Sequence, residues 1–374
     1  MKPFRVLGPQ EAEKVSLTYA FLNKSIFRRI KMITSANTSP PLRDNDNSVS
    51  QEQVVPLFIV GAGRSGSTLL RMMLISHSRI CIPPETWYLM QLLQRFDTRA
   101  PLSPKELQSV VTIMTGHYRW PDMRIRDSEL LEMTSKLDKP RLRDVVESVY
   151  LWHMNREKKA RWGDKSPPYV AIVPQLALLF PGAKFIHLVR DGHDVAASFH
   201  KQRWYGPWLH ANSKEWISAA NYDYDWSRNR VDAQVIRARY EDLVLDTERT
   251  LRRICEFIGE EFEPEMLSWQ EHVDSSVPNR ELSIHHKLKK PPSADDTHRW
   301  KREMSNRQIW ITEAFMGSQL TKMGYERKFR SSLLNPAMFV TRTFCQIVLP
   351  TVDLIWRTLG RFRKALNKSH EVKQ

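Results

Sequence analysis

Short apolar runs stand out from the polar chain around them, at residues 54–60, 183–189 and 233–240. The first is rich in β-branched residues and is typical of a strand buried in a parallel sheet, and the other two are strand-like. The segments 69–75 and 248–258 have the apolar spacing of helices, and Gly259 can cap the second. Residues 100–160 are charged and predict further helices. Strands that alternate with helices predict an α/β fold, in which helices cover both faces of a mostly parallel central sheet.

Composition and charge divide the 374 residues into a body and two ends. The hydrophobic fraction of 41% is too high for a largely disordered chain. A polar, turn-rich stretch at 35–55 predicts a linker, so we expect a basic N-terminal extension over 1–50, a folded body over 51–326 and a basic amphipathic C-terminal extension over 327–374. The ends carry +4 and +8 of the net charge of +15, which leaves +3 on the body. Bulk charge therefore does not predict a nucleic-acid partner for the body.

The two basic ends leave two interpretations open. Residues 17–33 place isoleucines and a leucine near one helical face, and residues 331–356 are apolar but interrupted by Arg342 and Asp353. Such segments suit peripheral binding to an anionic membrane surface better than a membrane-spanning helix. They could equally dock on the body or pair two subunits as a homodimer. Three widely separated cysteines and the lack of a secretory signal indicate a cytoplasmic location, at the inner face of a membrane if the ends bind it.

A glycine-rich turn follows the first predicted strand and has the skeleton of a phosphate-binding loop. It is the segment Gly61 to Thr68, in which the usual lysine after the second glycine is replaced by Ser67. Backbone N–H groups at a helix N-terminus can still hold an anion there. The cation that reaches a γ-phosphate is lost, while Arg64 offers one elsewhere in the loop. The loop therefore predicts a 5′-phosphoryl ligand without a γ-phosphate.

A second candidate site follows the strand at 183–189. Arg190 leaves the carboxyl end of that strand, where ligands bind in open α/β sheets, and Ser198 lies two helical turns further on. An arginine and a serine in these positions can hold one further phosphate.

Together these motifs resemble the sulfotransferases that use 3′-phosphoadenosine 5′-phosphosulfate (PAPS). In that family a G-x-x-R-S-G-[ST]-T loop binds the 5′-phosphosulfate and a later V-R-D…S segment binds the 3′-phosphate. The resemblance covers residues 51–326 and implies the P-loop-like three-layer sandwich. It also implies that the nucleotide is bound by residues of the loop, of the V-R-D…S segment, of a Y-E-D-L element and of a late R-W loop, namely Arg64, Ser65, Gly66, Ser67, Thr68, Arg190, Ser198, Tyr240 and Arg299.

Two further motifs look more like the tyrosylprotein branch and bacterial carbohydrate or metabolite branch than the cytosolic phenol branch. They are Pro84-Glu85-Thr86 and Gly163-Asp164-Lys165-Ser166-Pro167. The resemblance implies that Glu85 is the general base and that Lys165 assists the departing group. A departure from the tyrosylprotein pattern, Gln202 in place of an arginine, means that tyrosine is not implied as the acceptor.

The implied reaction moves a sulfuryl group in line from PAPS, the co-substrate, to a hydroxyl or amine and leaves 3′,5′-bisphosphoadenosine. The acceptor would be a small molecule, glycan, lipid, peptide or secondary metabolite. No metal is needed, because the loop amides, Arg64 and Lys165 neutralise the negative charge that develops on the bridging oxygen. Each catalytic residue has an alternative: Glu85 as a helix N-terminal carboxylate, Lys165 as an exposed loop residue, and His193 or His200 as the base. The rival functions are a small-molecule kinase and a non-enzymatic basic protein that binds membranes or nucleic acid.

Overall fold

The apolar run after residue 56 forms the central strand of a five-stranded parallel sheet. The computed structural model describes residues 54–202, 209–228, 233–282 and 284–329, together with 337, 340, 341, 343 and 344. The strands are β1 (Leu57–Gly61), β2 (Ile80–Cys81), β3 (Arg161–Lys165), β4 (Lys184–Val189) and β5 (Gln234–Arg239). Their order across the sheet is β2-β3-β1-β4-β5, and every pairing is parallel. The predicted α/β class is confirmed, as are the strands predicted at 54–60, 183–189 and 233–240.

Helices connect the strands and extend beyond the last one. They are α1 (Ser67–Ile75), α2 (Leu89–Arg95), α3 (Pro104–Thr115), α4 (Asp127–Ser135), α5 (Leu142–Arg156), α6 (Val173–Leu179), α7 (Gly192–Gln202), α8 (Leu209–Arg228), α9 (Tyr240–Leu245), α10 (Thr247–Ile258), α11 (Val273–Ser276), α12 (Trp300–Glu303) and α13 (Asn306–Lys322). Short 3-10 helices lie at Trp120–Met123, Pro167–Ile172, Pro264–Leu267, Trp269–His272, Asn279–Glu281, His286–Lys289 and Ala294–Asp296. Helix α10 ends as predicted at Gly259, which has the left-handed φ of 79°. None of the described helices is long and apolar enough to cross a membrane.

Strand β1 buries both of its faces because its side chains alternate between two apolar layers. Leu57 and Ile59 belong to the layer formed with α1, α9 and α10. Phe58 points to the other layer, where it stacks on Phe185 with ring centroids 5.3 Å apart and meets the edge of Trp162 at 6.0 Å. Burial on both faces explains why β1 reads as a continuous apolar run instead of an alternating one.

The sequence did not predict β2 and β3. Strand β3 has the sequence Arg-Trp-Gly-Asp-Lys, which lacks the apolar run that marks a buried strand, yet four of its five residues are buried. Its central glycine lies opposite Leu57 of β1, and its last residue, Lys165, lies opposite Ile59. Polar side chains at a buried strand end need specific partners, and those partners come from distant segments.

The chain divides into two compact units. The first comprises Met1–Arg190 and Ser218–Thr297 and holds the whole sheet; the second comprises Asp191–Ile217 and His298–Gln374. The predicted extensions at 1–50 and 327–374 lie almost entirely outside the described residues, as does most of the apolar segment 331–356. The predicted domain boundaries and the roles of the two ends stay predictions.

A buried ionic cluster centred on His193 stabilises the second unit. Its Nδ1 lies 2.8 Å from Asp191 Oδ1 and its Nε2 lies 3.3 Å from Glu313 Oε1. Trp300 stacks on the ring at a centroid distance of 4.3 Å, and its Nε1 donates to Asp191 Oδ2 over 2.8 Å. Burial lowers the pKa of His193, but the two carboxylates outweigh burial and raise the pKa to about 9. The ring is therefore an imidazolium at neutral pH, which disfavours His193 as a catalytic base.

This cluster predicts a loss of stability at alkaline pH. Since the folded-state pKa of about 9 lies above the ordinary value of 6.5, the His193 contribution is complete below pH 6.5 and is lost as pH rises through 9. The wild-type melting temperature should therefore fall more steeply between pH 7 and pH 9.5 than that of His193→Gln, measured by thermal denaturation. His272→Gln, at an exposed position, is the control and should keep the wild-type slope. Equal slopes for the wild type and His193→Gln would contradict the prediction.

Candidate active site

The loop between β1 and α1 has the geometry of an anion-binding loop. Gly66 is the N-cap of α1 with φ 92°, and Arg64 also has a positive φ of 66°. Gly66 has no side chain to cap the helix, and no acidic residue lies in the first turn of α1. The N–H groups of that turn and the positive end of the helix dipole thus suit an anionic ligand. Ser65, Ser67 and Thr68 are buried in the loop.

Tyr240 packs directly on this loop. It is the first residue of α9, after the carboxyl end of β5, and a Cβ atom added to Gly66 would lie 2.3 Å from its ring carbon Cδ2. Arg190, which follows β4, places its guanidinium 4.1 Å above the same ring. It also donates to the carbonyl oxygens of Arg64 over 3.3 Å and of Asp296 over 2.9 Å. Seven of the nine predicted nucleotide-binding residues, namely the five of the loop together with Arg190 and Tyr240, therefore belong to the first unit.

Lys165 connects the loop to the predicted base. It ends β3 and is 2% exposed, so the alternative of an exposed loop lysine is wrong. Its Nζ donates to Thr68 Oγ1 over 3.2 Å and forms an ion pair with Glu85 Oε1. Thr68, Lys165 and Glu85 thus form a continuous polar chain from the phosphate-binding loop to the carboxylate.

Two cations hold the two oxygens of Glu85. Lys165 contacts Oε1, while Oε2 lies 3.1 Å from Arg119 Nη2 and accepts a 2.7 Å hydrogen bond from Trp87 Nε1. Burial raises the pKa of Glu85, but Lys165 and Arg119 outweigh burial and lower the pKa to about 2. Glu85 lies in the loop before α2, which begins only at Leu89. It is an ionised, nearly buried carboxylate in an ion network, not a helix N-terminal one.

The loop that carries Glu85 is fixed by its neighbour, Thr86. The Thr86 hydroxyl donates to Asp164 Oδ2 over 2.9 Å and lies 2.6 Å from the Tyr169 hydroxyl. Tyr150 donates to the same carboxylate oxygen over 2.9 Å, and all four side chains are fully buried. Since Thr86 adjoins Glu85 and Asp164 adjoins Lys165, this bond fixes the two sides of the ion pair relative to each other.

Arg71 of α1 provides a second attachment for the loop that carries Glu85. Its buried guanidinium donates to the carbonyl oxygens of Ile82 over 2.8 Å and of Ser276 over 3.0 Å. One side chain therefore links the helix of the phosphate-binding loop to the start of the Glu85 loop and to the segment around 276.

Residues 56–264 match the family model described as the sulfotransferase family. The chain belongs to the sulfotransferase family. It is 22% identical over 251 residues to protein-tyrosine sulfotransferase A of Caenorhabditis elegans, covering 65% of this chain and 60% of that protein. It is 28% identical over 154 residues to nodulation protein NoeE of Sinorhizobium fredii, covering 41% and 32%. The sulfotransferase domain of the curacin biosynthetic pathway superposes with a TM-score of 0.49 and 22% identity, over 73% of this chain and 99% of that domain. The chain spans less than two thirds of the curated relatives it matches.

Two of the predicted site residues belong to the second unit. Ser198 is half-buried on α7, and Arg299 precedes α12, where its guanidinium pairs with Glu303 Oε1 at 2.6 Å. Their roles toward the nucleotide stay predictions. No three His, Cys, Asp or Glu side chains of the described chain converge as a metal site requires, and the metal-free reaction likewise stays a prediction.

Arg119 and His285 reach the site although the sequence did not assign them to it. His285 Nε2 lies 3.5 Å from Thr68 Oγ1, and burial together with the charges of Lys165 and Arg64 lowers the pKa of His285 to about 3. His285 is therefore neutral near pH 7. From sequence alone, the basic run at 285–290 favours a solvated surface over a cover for the acceptor or the nucleotide, and it does not reveal that His285 is half-buried against the loop. Arg119 carries no motif and lies 34 residues after Glu85, so no local pattern marks it.

The contact between Gly66 and Tyr240 predicts the effect of Gly66→Ala. The new Cβ would meet the Tyr240 ring in a left-handed backbone, so we expect unfolding in urea to show a loss of about 2–3 kcal/mol. Gly182→Ala is the matched control, because Gly182 has φ 82° but nothing within 4 Å of the added Cβ. It should lose only about 1 kcal/mol. Equal losses in the two variants would show that the Tyr240 contact contributes nothing.

Proposed function

We propose that this sulfotransferase moves a sulfuryl group from PAPS to a hydroxyl or amine, with Glu85 as the general base. The supporting observation is the polar chain from Thr68 through Lys165 to Glu85. It brings a loop suited to a phosphosulfate, a cation for the leaving oxygen and a carboxylate for the acceptor proton into direct contact.

In the proposed step, PAPS supplies a sulfuryl group activated by its bond to a phosphate oxygen. A new bond forms between the acceptor oxygen or nitrogen and sulfur, while the bond from sulfur to the bridging oxygen breaks. The electron pair of the broken bond stays on the phosphate of 3′,5′-bisphosphoadenosine. The loop amides, Arg64 and Lys165 stabilise this developing charge. The acceptor proton passes to Glu85.

Lys165 couples the two halves of this step. Its charge keeps the pKa of Glu85 low while it pairs with Oε1. When Nζ turns to the negative charge on the leaving oxygen, the pKa of Glu85 rises, which makes the carboxylate a better proton acceptor at the time when the proton must move. Arg190 and Tyr240 flank the loop and are proposed, with Ser198 and Arg299, to hold the nucleotide.

The acceptor we propose is a small molecule, glycan, lipid or peptide. At 22% identity, the similarity to a protein-tyrosine sulfotransferase does not narrow this range of acceptors.

The basic ends are proposed to bind an anionic membrane surface. Membrane fractionation of a chain that ends at residue 326, compared with the full chain, tests that proposal. Retention of membrane binding by the shorter chain would refute a role for the C-terminal end.

Nucleotide selectivity tests the proposed donor. We expect 3′,5′-bisphosphoadenosine at 100 times its dissociation constant to stabilise the protein by about 2.7 kcal/mol, measured by thermal shift, and ATP to act less. Arg190→Ala should lose most of this stabilisation, while Arg79→Ala, an exposed arginine paired with Glu260, should keep it. A larger shift with ATP would refute the PAPS donor and favour the kinase alternative.

Glu85→Gln tests the base. The amide keeps the shape of the side chain but cannot take the proton, so we expect turnover to fall by about 10²–10⁴-fold with binding of 3′,5′-bisphosphoadenosine retained. Turnover is measured as the release of 3′,5′-bisphosphoadenosine from PAPS in the presence of a pool of acceptors, which contains phenols, saccharides and tyrosine peptides.

The matched control for this test is Glu260→Gln. Glu260 is also a carboxylate held between two arginines, Arg79 and Arg161, but Arg161 lies at the opposite end of β3 from Lys165. This variant should turn over like the wild type. Wild-type turnover by Glu85→Gln would refute Glu85 as the base.

A further inference from the structure

Arg119 contacts two carboxylates at the candidate site. Its Nη2 lies 3.1 Å from Glu85 Oε2 and its Nη1 donates to Glu281 Oε1 over 2.9 Å. Its Nε donates to the Tyr118 hydroxyl over 3.1 Å, so all three nitrogens of the guanidinium have partners. The side chain is nearly buried, which makes these contacts strong and their loss costly.

Aromatic rings restrict the movement of this guanidinium. It lies 4.5 Å from the centre of the Trp87 ring and 5.4 Å from that of Tyr118. Trp87 also donates to Glu85 Oε2. A planar, stacked guanidinium with fixed partners presents its N–H groups in one orientation, which a lysine ammonium could not do.

The two oxygens of Glu85 therefore have different surroundings. Oε2 is held by Arg119 and Trp87, both of which are confined by their other contacts. Oε1 is held by Lys165, which also contacts Thr68 of the loop. Of these contacts, only that of Oε1 involves a group that moves in the proposed reaction, because Lys165 turns to the leaving oxygen.

We propose that Arg119 is the positioning residue of the base: it and Trp87 hold Glu85 Oε2, so that Oε1 takes the acceptor proton when Lys165 turns to the leaving group. Glu281 acts indirectly, because it binds Nη1 of Arg119 while Nη2 contacts Glu85. The proposal rests on the proposed function for the role of Glu85, but the contact of Arg119 with Oε2 does not depend on that role.

The direct test is the titration of Glu85 in the nucleotide-free protein. Carboxyl carbons of glutamate are labelled with ¹³C, and the Glu85 signal is identified by its absence in Glu85→Gln. In the wild type the pKa of Glu85 is low because of its two cations. In Arg119→Gln one cation is lost, so we expect at least a tenfold gain in proton affinity. Arg119→Lys should keep part of the wild-type acidity, because it keeps a charge.

Kinetics provide the second measurement. Release of 3′,5′-bisphosphoadenosine from PAPS, with the pooled acceptors, should show a 10- to 100-fold lower kcat in Arg119→Gln, because a displaced carboxylate transfers the proton poorly. Affinity for 3′,5′-bisphosphoadenosine should not change. The acidic limb of the pH profile should move to higher pH. Arg119→Lys should restore the pH profile in part but not kcat, because an ammonium cannot hold Glu85 and Glu281 in the same fixed geometry.

Arg143→Gln is the matched control. Arg143 is a partly buried arginine that also pairs with a carboxylate, Glu147, and lies 5.8 Å from the centre of an aromatic ring, that of Phe180. It should leave the Glu85 titration and kcat at wild-type values. Glu85 titration in Arg119→Gln identical to that in Arg143→Gln would overturn the proposal. Wild-type turnover by Glu85→Gln would instead refute the proposed base, whatever the titration shows.

Discussion

The candidate site depends on the burial of the ion pair between Glu85 and Lys165. Removing two charges from water costs several kcal/mol for each ion, and an ion pair recovers this cost only when its geometry is good and its other polar atoms are satisfied. Both conditions are met: Lys165 also donates to Thr68, and Glu85 also receives Arg119 and Trp87. Below this pair, the bond from Thr86 to Asp164 connects the neighbouring residue on each side. Loss of Glu85 would leave the charge of Lys165 in the interior without this counter-ion.

The parallel sheet explains why these groups meet. Strands β3, β1, β4 and β5 are neighbours, and their carboxyl ends lie at one edge of the sheet. Lys165 is the last residue of β3, and Arg190 and Tyr240 directly follow β4 and β5. Residues far apart in sequence are therefore delivered to one edge by the strand order, as is general for ligand sites in open α/β sheets. The loop of Glu85 follows the carboxyl end of β2, and the contacts of Arg71 and Thr86 fix its position.

The features that could be predicted from the sequence are those whose signals lie within one contiguous segment. Strand β1, the phosphate-binding loop and α1 are contiguous, so their order and glycine spacing were sufficient to predict them. Strand β3 was missed because its charged residues stabilise the fold only through partners on other segments, such as Glu85 for Lys165. Glu85 and Lys165 were found through the family resemblance alone. Arg119 and His285 were not, because neither lies in a motif and their contacts at the site are with residues far away in the sequence.

The cations of the candidate site explain why it contains the carboxylate of Glu85. Lys165 and Arg119 are both buried, and each needs a counter-ion when no polyanionic ligand is bound. Glu85 is the counter-ion of both, and Glu281 shares Arg119. A phosphosulfate that attracts Lys165 would take over part of that role and leave Glu85 with one cation fewer. In the proposed reaction, the carboxylate that neutralises the two cations is therefore also the group that becomes more basic when Lys165 turns to the leaving oxygen. A nearly balanced body with a few fixed cations is thus consistent with the proposed binding of a highly acidic nucleotide, which does not require a large net charge.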